Sequence, residues 1–500
     1  MSRVALAALL AFFVSCGTVA PSTPLWSHEW ARGAVFYEIF VRSFADSDGD
    51  GVGDFNGMTA KLDYLRDLGI EGIWLMPVFE SASYHGYDTT DYDHIERDYG
   101  TDADFRRFVD EAHKRGIRVI VDLVLNHTGD AHPWFVDSAK RDWYIWRATN
   151  PGWKQPWDGD DPSWHLRDGQ YFYGAFWSGM PDLNYRNAAV KAEMFRVARH
   201  WLLEGADGYR LDATRYLVED GPGAIGQADT AGTHAVLREL ANEVRRIRPD
   251  AVLVAENTVD VARMATYFAE MPMNFNFTLA SAILESVRSN DATRIRDTLR
   301  EEQRLYPRGI IDAPFLRNHD HTRIATEYAN DAGKLRTAAA ILLTLPGMPF
   351  VYYGEELGMQ NGPTSADEWK RTPMPWTAAG GFSTATPWHP YAPGVDAQNV
   401  ASQTNDPASL LSRYRDWIAA RKASRALRKG ELALLDTPPQ LLAFVRASSG
   451  ERVLVVHNLG DTPIVAPALP AASKLLIGDE GVTTPTAPIP PHASAVWRLR

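Results

Sequence analysis

Three observations predict an α/β chain built as a (β/α)8 barrel, the TIM-barrel arrangement, with an inserted subdomain after the third strand and a C-terminal all-β domain. Short apolar, strand-like runs alternate with amphipathic stretches from residue 35 onward, eight times over about 330 residues. One interval in that alternation, 128–186, is much longer than the rest and lacks strong periodicity. After about residue 430 the helical period gives way to short strand-like runs separated by turn residues and prolines. Strands joined by helical crossovers lie parallel. An open doubly wound sheet is the competing arrangement, but no glycine-rich phosphate loop follows the first strand.

The eight strand segments are read in order. "VFYEIF" (35–40) is the first and "IEGIWLMPV" (70–78) the second. Between them "AKLDYLRDLG" sets Leu62, Leu65 and Leu68 on one helical face and stops at Gly69. "DADFRRFVDEAHKRG" (102–116) is a helix opened by Asp102 and closed by Gly116. The third strand, "IRVIVDLVL" (117–125), is apolar almost throughout, as in a strand buried on both faces. After the long interval come a helix over 187–205 and the fourth strand, "GADGYRLD" (205–212). "AVLVAE" (251–256), "MNFNFT" (273–278), "PFLRNHD" (314–320) and "FVYYGEE" (350–356) complete the eight.

Residues 1–15 read as an export signal of lipoprotein type: Arg3, then the apolar run "ALAALLAFFV", too short for a membrane span. Phe13-Val14-Ser15-Cys16 matches a lipobox, which makes Cys16 the lipidation site and residues 16–32 a tether. Cys16 is the only cysteine, so no disulfide can form within the chain. The expected organisation is then barrel over 33–127, inserted subdomain over 128–186, barrel again over 187–425, and a β-sandwich domain over 426–500. The expected location is outside the cytoplasm, in the outer membrane or facing the periplasm, with membrane attachment only through the lipid. Simple secretion is the alternative.

With 51 basic and 63 acidic residues the net charge is -12, which argues against nucleic acid as a partner. Seven of the 16 tryptophans fall between residues 134 and 177. Such density fits either a core or a surface that stacks on flat, weakly polar rings.

"DSDGDGVGD" (46–54) places Asp46, Asp48, Asp50 and Gly51 as in the first half of an EF-hand loop. The register then fails, because Gly57 stands where a bidentate Glu is required, and a strand rather than a helix precedes the loop. The oxygen-rich loop still suits a hard cation.

Catalytic groups in a barrel gather at the C-terminal ends of its strands. Here those ends carry Asp122, Asn126 and His127, then Arg210 and Asp212, then Glu256, then His319 and Asp320. Any one of these could be a capping or salt-bridging residue. Three carboxylates, an arginine and two histidines at one rim point to chemistry. Glycoside hydrolysis uses two carboxyl groups, one protonated and one ionised. Arg210 shares a strand face with Asp212 and can keep it ionised. Glu256 follows an apolar run whose desolvation favours the protonated form.

Six segments in order, "DLVLNH" (122–127), "MPDLN" (180–184), "GYRLD" (208–212), "AEN" (255–257), "RNHD" (317–320) and "GEELGM" (354–359), give the chain a resemblance to the α-amylase family, glycoside hydrolase family thirteen, over about residues 33 to 500. The resemblance implies a retaining enzyme with Asp212 as nucleophile, Glu256 as acid/base and Asp320 gripping sugar hydroxyls. It implies that Arg210, His127 and His319 line the same subsite, with Tyr87 of "YHGYD" beneath the reacting sugar and His85 and Asp88 beside it. It also implies that the acidic loop holds a structural calcium ion through Asp46, Asp48, Asp50, the Val52 carbonyl and Asp54. Many α-amylases have Lys-His three and four residues after the nucleophile. Arg215-Tyr216 stands there instead, which departs from the motif for a second calcium site.

Within the family the chain is similar to intermediate-type α-amylases between the oligo-1,6-glucosidase and neopullulanase groups. "MPDLN" leans to the second group, and Ala213 after the nucleophile goes with α-1,4 bonds. The implied substrate is an α-glucan or maltooligosaccharide, acted on by a monomer. An exo-acting α-glucosidase or a trehalose synthase-like transglycosylase is the alternative. A non-catalytic glucan-binding lipoprotein is the reading from another class, but it gives no reason for three carboxylates at one rim.

Overall fold

The computed structural model describes residues 26–157, 159–465 and 472–499. The export signal and Cys16 lie outside the described residues. Eight parallel strands form the central sheet: β1 (Phe36–Ile39), β2 (Gly72–Leu75), β3 (Arg118–Val124), β4 (Gly208–Asp212), β5 (Val252–Ala255), β6 (Met273–Phe275), β7 (Ile311–Ala313) and β8 (Phe350–Tyr352). Their spatial order is β7-β6-β5-β4-β3-β2-β1-β8, and a parallel bridge between Phe315 and Phe350 brings the two ends together. The result is a nearly closed (β/α)8 barrel.

Strand alternation fills the barrel from both sides. Phe36, Trp74, Ile120, Val252, Val254, Met273, Phe275 and Phe350 belong to one cluster that forms the barrel interior. Their neighbours Tyr37, Ile73, Leu75, Val119, Val121 and Leu253 belong to the larger core beneath the helices. Gly208 in β4 is required for close approach. Its φ is 143°, and a Cβ there would sit 1.9 Å from the Val252 carbonyl oxygen. The helix Asp102–Lys114 begins with a capping box between Thr101 and Asp104, one residue before the expected start. The helix Leu62–Leu68 ends at Gly69, whose φ of 96° suits glycine.

The seventh strand lies earlier than the sequence predicts. Ile311–Ala313 pairs with β6, whereas 314–320 is the loop beyond it. Phe315 and Leu316 are buried there, and Phe315 makes only the single bridge to Phe350, so their apolar character reflects burial more than strand pairing. The interval 128–186 contains a small antiparallel sheet of Trp146–Arg147, Gln170–Tyr173 and Trp164–Arg167, over a core that includes Ile145, Trp164 and Tyr173. It is tied to the end of β3 by the Leu183 N–H donating to the Asn126 carbonyl at 2.9 Å.

After the barrel, β9 (Glu431–Leu434), β10 (Leu441–Ser448), β11 (Glu451–Asn458), β12 (Ala472–Gly478) and β13 (Ser494–Leu499) form one antiparallel sheet in the order β9-β10-β11-β13-β12. Among the described residues this is the one sheet of the terminal domain, and an isolated antiparallel bridge joins Ile464 and Ile489 beside it. The barrel itself covers one face: Leu442, Phe444, Val453 and Val455 join the main core, while Leu441, Ala443, Leu454 and Val456 face a separate cluster with Val482 and Ile489. Two fully buried arginines mark this junction. Arg421 donates to the carbonyls of Gly33, Leu343, Leu345 and Gly347. Arg446, on β10, donates to those of Thr344 and Gly430. No helix among the described residues is long and apolar enough to cross a membrane.

Candidate active site

A cavity of about 580 Å³ opens at the C-terminal ends of the barrel strands. Asp212, Glu256 and Asp320 all border it, together with His85, Tyr87 and His127. Arg210 is 1% exposed and lies behind the carboxylates. Its Nη1 is 2.7 Å from Asp212 Oδ1 and its Nη2 2.8 Å from Glu256 Oε2. Nη1 also meets both oxygens of Asp122, at 2.8 and 2.9 Å. One planar guanidinium therefore fixes three carboxyl groups, a task its fork geometry suits and a lysine could not match.

Burial dominates the charge states. Desolvation pushes Glu256 up to about 7, Asp212 and Asp320 add to the rise, and Arg210 opposes it. Desolvation pushes Asp122 up to about 8, with Arg210 again in opposition. Asp212 also rises above its ordinary value through burial, so Arg210 offsets only part of that effect rather than holding the group fully down. Ala213, with φ 49°, directs its N–H to Glu256 Oε2 at 3.2 Å. A left-handed alanine beside two carboxyls is local strain at the reacting centre.

Asp320 behaves differently. Burial pushes it up, but His319, Arg371 and Arg210 outweigh that and hold it at about 2. Arg371 Nη2 lies 3.0 Å from Asp320 Oδ1 and His319 Nε2 lies 3.3 Å from Oδ2. The Asp320 side chain is 45% exposed, so solvent in the cavity screens part of this hold.

His319 does not border the cavity. It is fully buried behind Tyr87, stacked on that ring at 5.5 Å, with Nε2 2.6 Å from the Tyr87 hydroxyl. Its Nδ1 is 2.6 Å from Glu38 Oε1. Tyr87 donates to Asp122 Oδ2 at 3.1 Å, so its ring is pinned at the hydroxyl end. Asp88 also stays off the cavity wall: its Oδ1 accepts from Ser83 Oγ at 2.5 Å, and that hydroxyl reaches His85 Nε2 at 2.8 Å. Asp88 thus positions the loop that carries His85. His127 is buried, and its Nε2 has no partner among the described residues.

Sequence reasoning missed Arg371, Glu38, Trp157, Phe176 and Tyr216, all of which line or support the site. Glu38 left a signal, a lone acid inside an apolar strand. Arg371 left none, because 51 residues separate it from Asp320.

The acidic loop gathers carboxylate oxygens of Asp46, Asp48 and Asp50 within 4.8 Å of one another. Three hard oxygen donors at that spacing fit a calcium ion. Asp54 is engaged elsewhere: it accepts from Ser47 N and Oγ, both at 2.7 Å, and caps the helix Phe55–Ala60 through the Gly57 N–H at 2.8 Å.

Clustered carboxyl groups, with Glu256 raised to about 7 and Asp320 held at about 2, on the rim of a (β/α)8 barrel define the class, an enzyme of the glycoside hydrolase kind. The model for "Alpha amylase, catalytic domain" matches residues 38–430, and "Domain of unknown function (DUF3459)" matches 428–497. The chain belongs to the α-amylase family. "Alpha-amylase 3" of Dictyoglomus thermophilum is 39% identical over 446 residues, covering 87% of this chain and 86% of the relative. "Trehalose synthase" of Pimelobacter sp. is 35% identical over 518 residues, covering 89% and 90%. The crystal structure of the α-amylase from H. orenii superposes with a TM-score of 0.86 at 35% identity, covering 94% of this chain and 100% of that one.

Proposed function

We propose that the protein hydrolyses α-1,4-glucosidic bonds in starch-like glucans or maltooligosaccharides, with retention of configuration. The observation that carries the mechanism is the single guanidinium shared by Asp212 and Glu256. Both carboxyls lie on the two terminal nitrogens of one cation, which favours the short separation of a retaining pair. Inverting enzymes hold their carboxyls roughly 6.5–9.5 Å apart to admit water, whereas retaining ones hold them about 5–5.5 Å apart. Glu256, protonated below about pH 7, gives its proton to the departing glycosidic oxygen. Asp212 forms a bond to the anomeric carbon as the old bond breaks. Glu256, now ionised, takes a proton from water, whose oxygen displaces Asp212. Asp320, ionised across the working range, binds sugar hydroxyls, and Tyr87 supports the ring from below.

A second reading is transfer to a sugar instead of water. It is favoured by the aromatic wall of Trp157, Phe176 and Tyr216 beside Glu256, which reduces access of water to the acceptor side. A time course of products from maltoheptaose and amylose, with and without added glucose, separates the two. Mixed short maltooligosaccharides support the α-amylase reading. Glucose released alone from the chain end, or disaccharides made from added glucose, would replace it.

The same proposal includes a structural calcium ion held by Asp46, Asp48 and Asp50, with the Val52 carbonyl completing the loop. Its role is to fix the loop rather than to touch the reacting bond. Membrane attachment through lipidated Cys16 is also proposed; Cys16→Ala should release the protein in soluble form from a producing cell.

A further inference from the structure

A second groove, of about 690 Å³, runs between the inserted subdomain and the loop after β4. Trp146 and Trp153 border it, and both are half-buried. They belong to the tryptophan-rich segment that the catalytic cavity only partly uses, since Trp157 and Trp177 alone of the seven line that cavity. One face of Trp146 packs on Phe135, at 5.6 Å and 13° between planes. The Arg141 guanidinium lies over its ring at 3.7 Å, presenting a second flat surface.

The charges of the groove are balanced. Arg141, Arg147 and Arg186 face Asp142, Glu219 and Asp220. Arg186 is neutralised by Glu219 at 3.0 Å and Asp220 at 2.9 Å. Three arginines and three acids leave the lining without net charge, so it gives no advantage to a charged ligand. The exposed Arg147 donates one hydrogen bond among the described residues, to the Trp146 carbonyl at 2.9 Å. Its remaining N–H groups are available to hydroxyl oxygens. The Trp153 ring beside planar guanidinium hydrogen-bond donors matches a polyhydroxylated ring.

The groove adjoins the catalytic cavity through two continuous segments. Trp153 borders the groove and Trp157 the cavity; Glu219 borders the groove and Tyr216 the cavity. At no more than about 3.6 Å per residue, each pair of backbones is separated by at most about 11–14 Å. One glucan of several residues can reach both.

We propose that this groove is a second binding site for α-glucan chains, engaging a long substrate whose other part lies in the catalytic cavity. The inference rests on the α-glucan reading above. Its test uses the full chain carrying Trp153→Ala or Arg147→Ala, with steady-state kinetics on amylose and on maltotriose. Arg147 is exposed, so its replacement keeps the test sound if loss of Trp153 disturbs the subdomain. The expected result is a KM for amylose raised about tenfold, the scale of losing one stacking platform. Turnover of maltotriose, too short to span both sites, should stay within about twofold of the parent. An unchanged KM for amylose in both variants overturns the proposal, as does an equal loss on maltotriose, which would place the residues in the fold of the catalytic wall. If the parent turns over neither α-glucan, the functional reading itself fails, an outcome separate from any effect of the variants.

Discussion

Glu256 loses its proton near neutrality, and in the proposed mechanism that proton goes to the leaving oxygen, so pH is the direct way to perturb it. Moving a carboxyl from 4.5 to about 7 means that ionisation in this site is opposed by about 3 kcal/mol. Burial supplies most of that, with Asp212 and Asp320 adding repulsion and Arg210 opposing. At pH 6 about nine-tenths of the acid is protonated, and at pH 8 about one-tenth. The ratio kcat/KM for maltoheptaose should therefore fall about tenfold per pH unit above 7. The assay is initial-rate release of reducing ends at fixed ionic strength from pH 5 to 9. Glu256→Gln should remove that limb and suppress turnover of ordinary glucans, while an α-glucosyl fluoride, whose leaving group needs little protonation, should still form the first intermediate. Stability follows the same proton. Because the folded value is raised, this stabilising contribution is complete below about pH 4.5 and is lost as pH rises through about 7. A limb near 4.5, or one that persists in Glu256→Gln, would refute the reasoning.

Asp212→Asn should lower kcat by at least about 10⁴, since the amide cannot form the covalent intermediate, while calorimetry should still show maltoheptaose binding. The amide oxygen can still accept from Arg210, so the melting temperature should hold. Chelation of calcium should lower the melting temperature and restore it on re-addition; no change in either direction would count against a bound ion at Asp46, Asp48 and Asp50. Asp54→Ala should destabilise by about 1 kcal/mol through loss of the helix cap, whether or not calcium is present. A large effect seen only with calcium would instead make Asp54 a ligand.

Seven of the barrel strands were legible because parallel strands buried on both faces read as continuous apolar runs. β7 was not. It is three residues long and contains Asp312, whereas the stronger apolar signal at Phe315 and Leu316 belongs to a buried loop. The carboxylates of the site were legible because strand ends expose them to pattern reasoning. Arg371 was not, since it arrives on a loop after β8 whose path no local period encodes. The capping role of Asp54 was not legible for a related reason: an acid that ends a metal-like motif also begins the helix Phe55–Ala60, and spacing alone cannot separate the two duties. Burial of Asp212 was the remaining gap, because a neighbouring cation is visible in sequence and the desolvation it must offset is not.

Arg421 and Arg446 give the family boundary near residue 430 an unexpected meaning. Each is a fully buried cation whose hydrogen bonds all go to carbonyl oxygens, several of them at the end of the helix Ala332–Thr344. Separating the terminal sheet from the barrel would strand Arg446 without the Thr344 carbonyl and bare the apolar face of β10 and β11 at once. The two recognisable modules thus share one buried junction. A cut at the matched boundary near residue 430 would open that junction, so the boundary is not a free joint.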